Sequence, residues 1–368
     1  MIKVCHITSA HGAEDIRIFH KECVSLAKAG YDVYLVQTGE SYEKDGVHLV
    51  GLGSPAKGRL ERFLHSAKNA YLKALEVDAD IYHLHDPELL GYGLKLKKRG
   101  KKVIFDSHEH TAEAIYEKEW LPKPFRATVF HAYSAYQKRI CKKLDAVISV
   151  TPNIVDYFKA FQPRTVQVAN FPIFSEDTAV CAEKKCRVAF AGGISSQWNH
   201  HTLLKALEQI PQCRYCLCGN ADAGYLEQLK AQQTWEQVDF LGKIPHHQVA
   251  TLLAESVAGM ALLQPGRNTD WHKGTIGNTK IFEEMMAQLP VICTDFDLWR
   301  GFVDAYQCGI CVDPSNADQV AEAIRYLLDN PDEAKRMGEN GRRAVREEFN
   351  WSVEEQKLFA LYKDILKD

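Results

Sequence analysis

The feature that most constrains this chain is an alternation of short β-rich runs with longer helical stretches, which fills the first 170 residues and then starts again. Such alternation marks parallel sheets covered by helices on both faces. IKVCHIT from Ile2, VYLVQ from Val33, DIYHL from Asp80, KVIFD from Lys102 and AVISV from Ala146 predict strands in the first half. Helices are predicted for IRIFHKECVSLAKAG ending at Gly30, RLERFLHSAKNAYLKAL from Arg59, PELLGYGLKLKKRG ending at Gly100 and FRATVFHAYSAYQKRICKKL from Phe125. Two of these stop at a glycine after basic residues, as helix C-termini often do.

The polar stretch NFPIFSEDTAVCAEKK, from Asn170, carries Pro172 and reads as a linker. Beyond it RVAFAG, RYCLCG, VDFLG, VAGMALL, PVICT and GICVD predict a second doubly wound unit. From about Asn316 the chain reads as helical, broken at Asn330-Pro331 and resumed at Asn350-Trp351. At roughly 100–200 residues per domain, 368 residues fit two α/β units. The expected division is 1–172, a linker at 173–185, 186–350, and a last helix at 351–368 that packs back on the first domain. Ligands of such sheets bind outside the carboxyl ends of the strands, so functional side chains belong in strand-to-helix loops facing a cleft.

Composition removes other classes of function. A formal charge of −3 argues against a nucleic-acid partner, and 46% apolar with 25% charged residues is ordinary for a soluble globular chain. MIKVCHITSA has no long apolar core, no run approaches 18 apolar residues, and eleven cysteines fit a reducing compartment. A cytoplasmic protein is expected.

The most informative segment runs Gly277-Asn278-Thr279-Lys280-Ile281-Phe282-Glu283-Glu284-Met285-Met286-Ala287, followed by Gln288-Leu289-Pro290-Val291-Ile292. Gly277 to Thr279 would open a helix, whose N–H groups and dipole favour an anion such as a diphosphate. Lys280 adds a positive charge, and Glu283 on the first turn could accept hydrogen bonds from the vicinal hydroxyls of a ribose. A solvated amphipathic helix before a buried strand satisfies the same spacing.

This segment resembles the C-terminal motif of the GT-B glycosyltransferases, in particular glycosyltransferase family 4. The likeness continues through His11-Gly12, Asp15-Ile16-Arg17-Ile18-Phe19-His20-Lys21-Glu22, Leu84-His85-Asp86-Pro87-Glu88-Leu89-Leu90 and Phe105-Asp106-Ser107-His108-Glu109. It includes Val168-Ala169-Asn170-Phe171-Pro172 at the linker and Ala191-Gly192-Gly193-Ile194-Ser195 at the second opening. The resemblance implies an α/β GT-B fold, two Rossmann-like doubly wound domains facing across a cleft. It also implies a retaining transfer of a hexosyl residue from a nucleoside diphosphate sugar to a glycan or lipid-linked glycan. A UDP-sugar is the first expectation and a GDP-sugar the second, with no cofactor and no metal required.

By the same resemblance Glu283 holds the ribose, Asn278, Thr279 and Lys280 hold the diphosphate, and Gly12, Gly192 and Gly193 let backbone approach the phosphates. Gly242 and Lys243 fall in the loop that recognises the base, and His108 lies near the transferred sugar. The catalytic set would be His108, Lys280 and Glu283. His11, Asp15, Arg17, His85, Asp86 and Glu109 would serve the acceptor side. Thr275 stands where the family commonly has a Glu, and Trp198 stands near its usual phosphate-binding Arg or Lys. A leaving diphosphate needs positive charge. Lys280 is the first substitute, with Arg267 and Lys273 behind it.

Other signals have plainer explanations. His83 and His85 share a strand face and, with His108-Glu109-His110, could ligate a metal, but strand-end packing explains them as well. Asp295-Phe296-Asp297 and Asp78-Ala79-Asp80 imitate D-x-D metal motifs. Cys213 and Cys216 would need Cys181 and Cys186 to make a zinc site. Residues 91–145 carry thirteen Lys or Arg against six Asp or Glu. Phe125, Phe130, Tyr133 and Tyr136, with Lys123, Arg126, Lys138, Arg139, Lys142 and Lys143, could rest on an anionic membrane at the inner face of the cell, where a lipid-linked acceptor would be met. Two further functions fit the same chain: a non-catalytic paralogue that scaffolds glycan assembly, and a sugar-nucleotide 2-epimerase.

Overall fold

Fourteen strands are found among the described residues of the computed structural model, which are 1–54, 58, 65–118, 121–181 and 183–367. The chain divides into two compact units, Met1–Asn170 with Trp351–Asp368, and Phe171–Asn350.

The first unit contains β1 (Lys3–Gly12), β2 (Asp32–Thr38), β3 (Tyr42–Lys44), β4 (Val47–Gly51), β5 (Ile81–Leu84), β6 (Lys102–Ser107), β7 (Ala146–Ser149) and β8 (Thr165–Gln167). They form one sheet in the order β3-β4-β2-β1-β5-β6-β7-β8. Its described pairings are parallel except that of β3 with β4. Strands β3, β4 and β8 are additions to the sequence expectation: β3 and β8 have three residues each, and β4 is a five-residue run, VHLVG. The β3–β4 hairpin had a readable signal: Asp45 and Gly46 both take positive φ, 50° and 78°, as a two-residue type I′ turn requires.

The helix expected after β1 is split, with Ile16–Cys23 wound in wide π-type turns and Val24–Lys28 in α form. Residues five apart do not meet on an ordinary helix. The wider turn brings Arg17 Nε within 3.1 Å of Glu22 Oε1. The helix expected from Arg59 is described only as Ala67–Val77, its beginning lying outside the described residues. Trp351–Ile365 belongs to the first unit: Leu358, Leu361, Tyr362 and Ile365 are buried in its core, and Trp351 Nε1 donates to Ser25 Oγ at 2.8 Å. Burial at about 1.5–3 kcal/mol per large side chain holds this helix far more than that one hydrogen bond.

The second unit contains β9 (Arg187–Ala191), β10 (Arg214–Cys218), β11 (Val238–Gly242), β12 (Ala258–Ala261), β13 (Val291–Thr294) and β14 (Gly309–Val312). Its sheet order is β11-β10-β9-β12-β13-β14, with described pairings parallel. All six coincide with the runs read from sequence. The expected linker differs. Arg342 donates to the carbonyls of Glu176 at 2.9 Å and Met286 at 2.7 Å, and stands over the Phe174 ring, so this stretch packs as part of the second unit.

In each sheet the chain direction switches beside the first strand, between β1 and β5 and between β9 and β12. Open α/β sheets offer their ligand positions at such points. The residues singled out from sequence cluster at both.

Candidate functional site

At the carboxyl end of β9 the chain turns through Gly192, with φ 153°. A Cβ on Gly192 would overlap the end of the Lys280 side chain, and the positive φ itself disfavours any side chain there. Gly219 follows β10 with φ 135°, and a Cβ there would overlap the Gly192 carbonyl oxygen. Gly219 N–H donates to the Gly242 carbonyl at 2.7 Å, and Gly242 takes φ 61°. Three adjacent strand ends therefore present close-packed bare backbone. Gly219 was missed as a site residue; its position directly after an apolar strand was the available signal.

Lys280 opens the helix Lys280–Met286. Its Nζ stands 4.2 Å from the Trp198 ring centroid and 5.3 Å from that of Phe190. Trp198 is therefore an aromatic cover on Lys280, an attraction that also holds the cation in place. Burial lowers the Lys280 pKa, with Glu284 and Glu283 opposing. Glu284 is itself buried, and desolvation raises its pKa against the pull of Lys280. Glu283 lies half-buried on the first turn.

The helix start is partly occupied. Asn278 Oδ1 accepts from Lys280 N–H at 3.2 Å, and Thr275 Oγ1 accepts from Gly277 N–H at 3.1 Å. An anion bound there must exchange with these side chains. Arg267 and Lys273 are exposed, and Lys273 pairs with Asp270 at 2.7 Å. Gly193 meets open space at a built Cβ, and Lys243 is exposed beside Gly242.

In the first unit His108 follows β6 and is 22% exposed. Its Nε2 lies 3.1 Å from Asp106 Oδ2, and Asp106 also receives Arg17 Nε at 2.9 Å and Nη2 at 3.1 Å. Burial alone would raise the Asp106 pKa; Arg17 and His108 instead hold it well below the usual range. Burial lowers the Arg17 pKa, but the Asp106 and Glu22 carboxyls more than offset it. His11 Nδ1 lies 3.2 Å from Asp15 Oδ2, which raises the His11 pKa, and Asp15 caps the helix through Arg17 and Ile18 N–H groups. Asp86 accepts from Thr8 Oγ1 at 2.8 Å and Ser9 N–H at 2.6 Å.

This changes several expectations. Arg17, His85 and Asp86 are 4%, 3% and 4% exposed, so they position neighbours and do not line an acceptor surface. Only His11, Asp15, His108 and Glu109 of the first unit's candidate side chains reach solvent appreciably. Gly12 has open space around a built Cβ, so nothing within its own unit requires a glycine there.

Among the described residues two groups place possible metal-ligand atoms within 4.8 Å of one another: His6, Glu22, His83 and His85, and His85, Asp106 and His108. The cysteine cluster and the two D-x-D segments form no such group among the described residues. Asp295 is paired with Arg300 at 2.7 Å.

Comparison with known proteins accounts for both units. The family model described as Glycosyltransferase Family 4 matches residues 17–170, and that described as Glycosyl transferases group 1 matches 177–344. An MMP alpha-(1->4)-mannosyltransferase of Mycolicibacterium hassiacum is 35% identical over 57 residues, 16% of this chain and 14% of that protein. Among solved structures, a sucrose-phosphate synthase from Thermosynechococcus elongatus superposes with TM-score 0.77 at 18% identity, covering 100% of each chain. HepE from Anabaena, in complex with UDP and glucose, gives 0.69 at 15% identity, covering 99% of this chain and 100% of its own. These likenesses establish the GT-B fold.

Proposed function

Because this chain belongs to the group 1, family 4 glycosyltransferases, we propose that it moves a hexosyl residue from a nucleoside diphosphate sugar, UDP-linked before GDP-linked, to a glycan or lipid-linked glycan. The observation that carries the donor assignment is the packing of Lys280 against Gly192 beneath Trp198. It places one cation, a helix start and the bare backbone of the β9 turn at the switch point of the second sheet. Glu283 on the same helix takes the ribose hydroxyls, and the loop at Gly242 and Lys243 takes the base. HepE, which shares the fold, is a UDP and UDP-glucose binder.

In the proposed reaction the bond from the anomeric carbon to the diphosphate breaks first. The acceptor hydroxyl attacks the oxocarbenium-like sugar from the face the diphosphate leaves, and the departing phosphate takes the hydroxyl proton, so configuration is retained. Fixed positive charge at the leaving group is the largest contribution such a site can make. Lys280 and the helix start supply it without a metal. His108, oriented by Asp106, is assigned to the sugar being transferred.

The helix Lys123–Cys141 contains no acidic residue and exposes Phe125, Val129 and Tyr136. It is the proposed contact with an anionic leaflet. Arg126 is excluded from that role, since it donates to the carbonyls of Leu121 and Tyr116. Among the described residues no helix is long and apolar enough to cross a membrane.

A thermal-shift panel with UDP, GDP, ADP, CDP and their sugars, each with and without EDTA, tests the donor reading. A shift for one base that survives EDTA, followed by acceptor-dependent release of the free diphosphate, supports it. Binding without turnover selects the non-catalytic scaffold, which the Trp198 cover on Lys280 and Thr275 in place of a Glu favour over the 2-epimerase. No shift with any nucleotide removes the donor assignment.

A further inference from the structure

Glu22 is fully buried; Arg17 Nε lies 3.1 Å from its Oε1, while Oε2 has no hydrogen-bond partner. A buried carboxyl left in that state is costly unless another group compensates it. Three imidazoles surround it: His6 on β1, His83 on β5, and His85 just beyond β5. We infer that Glu22, His6, His83 and His85 form a closed structural site for a divalent transition cation of the zinc type in the core of the first unit.

The distances support this. His6 Nδ1 and His85 Nε2 are 2.9 Å apart, and they lie 3.8 and 3.9 Å from Glu22 Oε2. A point in the plane of the three atoms is about 2.1 Å from each, the usual zinc-to-imidazole and zinc-to-carboxylate distance, and a tetrahedral site forms when the side chains shift to let the metal leave that plane. His83 Nδ1, 3.9 Å from the same oxygen, supplies the fourth position by exchanging its 2.9 Å contact with the Tyr362 hydroxyl. Nitrogen and carboxylate donors in a four-ligand set suit zinc, cobalt or nickel over magnesium or calcium.

The outer partners agree. His85 turns Nδ1 toward His108 Nε2 at 3.3 Å, with Asp106 Oδ2 at 3.6 Å, and His6 turns Nε2 toward the Tyr362 hydroxyl at 3.3 Å. A ring N–H donated to the Tyr362 hydroxyl would leave His6 Nδ1 as the free lone pair. His6 Nδ1 and His85 Nε2, 2.9 Å apart, either share a proton or hold a cation between them. The group His85, Asp106 and His108 is a weaker candidate, because Arg17 already takes both oxygens of Asp106. A bound cation would pin the π-type segment Ile16–Cys23 to the two central strands.

The test is elemental analysis of tag-free protein from zinc-supplemented cultures, washed with EDTA, alongside cobalt loading of chelator-treated protein. The expected result is about one zinc per chain and the visible d–d absorption of four-coordinate cobalt. Glu22→Gln and His6→Gln should each lower the zinc content about tenfold or more. Zinc far below stoichiometry with no cobalt spectrum in folded wild-type protein overturns the proposal and leaves the cluster held by shared protons. Zinc undiminished in both variants places the metal elsewhere and overturns it equally. The wild-type measurements stand even if a variant fails to fold, and none depends on nucleotide binding.

Discussion

The two sheet-end regions solve the same positional problem with different materials. In the second unit the strand ends are glycine backbone, with Lys280 held under Trp198. In the first unit they are ionisable side chains, most of them buried and tied to one another: Arg17, Asp106, Glu22, His6, His83 and His85. A backbone site offers N–H groups at no side-chain entropy and tolerates many neighbours. A buried ionisable network is rigid, and losing one member strands the others.

That contrast can be broken most severely at Arg17. Arg17→Ala leaves Asp106 without its bidentate partner and should cost about 3–5 kcal/mol, measured by urea unfolding. A loss below about 1 kcal/mol would show that the network is not held by charge.

Acid should also separate the regions. Burial lowers the pKa of His6 and His83 well below 6.5 and that of His85 to about 4, while His200 in the second unit falls to about 3. Each lowered histidine takes its proton later in the folded chain than in the unfolded one. Stability of the metal-free chain therefore drops as pH falls below 6.5 toward 4, and more in the first unit, which carries three of the five lowered histidines, the fifth being the more exposed His201. Hydrogen exchange at neutral pH and near pH 5 should show β1 and β5 losing protection before β9 and β12; the reverse order would refute the assignment.

The backbone site has its own weak point. Gly219→Ala forces a side chain into a left-handed position against the Gly192 carbonyl, a strain of about 1–3 kcal/mol that should fall on nucleotide binding and on the second unit's stability together. Glu283→Ala should weaken UDP binding about 10- to 100-fold by calorimetry. Trp198→Leu is the mildest. Loss of the cation–π contact, about 0.5–2 kcal/mol, should free Lys280 and alter donor affinity by roughly tenfold or less.

The parallel, doubly wound architecture and all six strands of the second unit were legible in the sequence because buried strands are continuous apolar runs. The donor helix was legible too, since its chemistry is local: Lys280 and Glu283 sit within one turn. The edge strands β3 and β8 were not read, because three residues carry little periodic signal, and β4 was not read although VHLVG alternates and sits between β3 and β2. The segment 173–185 read as a linker from its polarity, yet Arg342, more than 160 positions away for Glu176, holds its carbonyls.

By itself, then, the sequence determined fold class, unit number and the residues of the Gly277 to Glu283 segment, because hydrophobic period, turn glycines and helix-start chemistry depend on near neighbours. Tertiary structure decided the rest. Only folding shows that Trp198 covers Lys280, that Gly219 must yield to Gly192, and that Arg17 and His85 face inward. It brings Glu22 to His6, His83 and His85 through a π-type turn and two central strands. Interactions of that kind join residues far apart in the chain, and no local pattern records which buried charge will meet which.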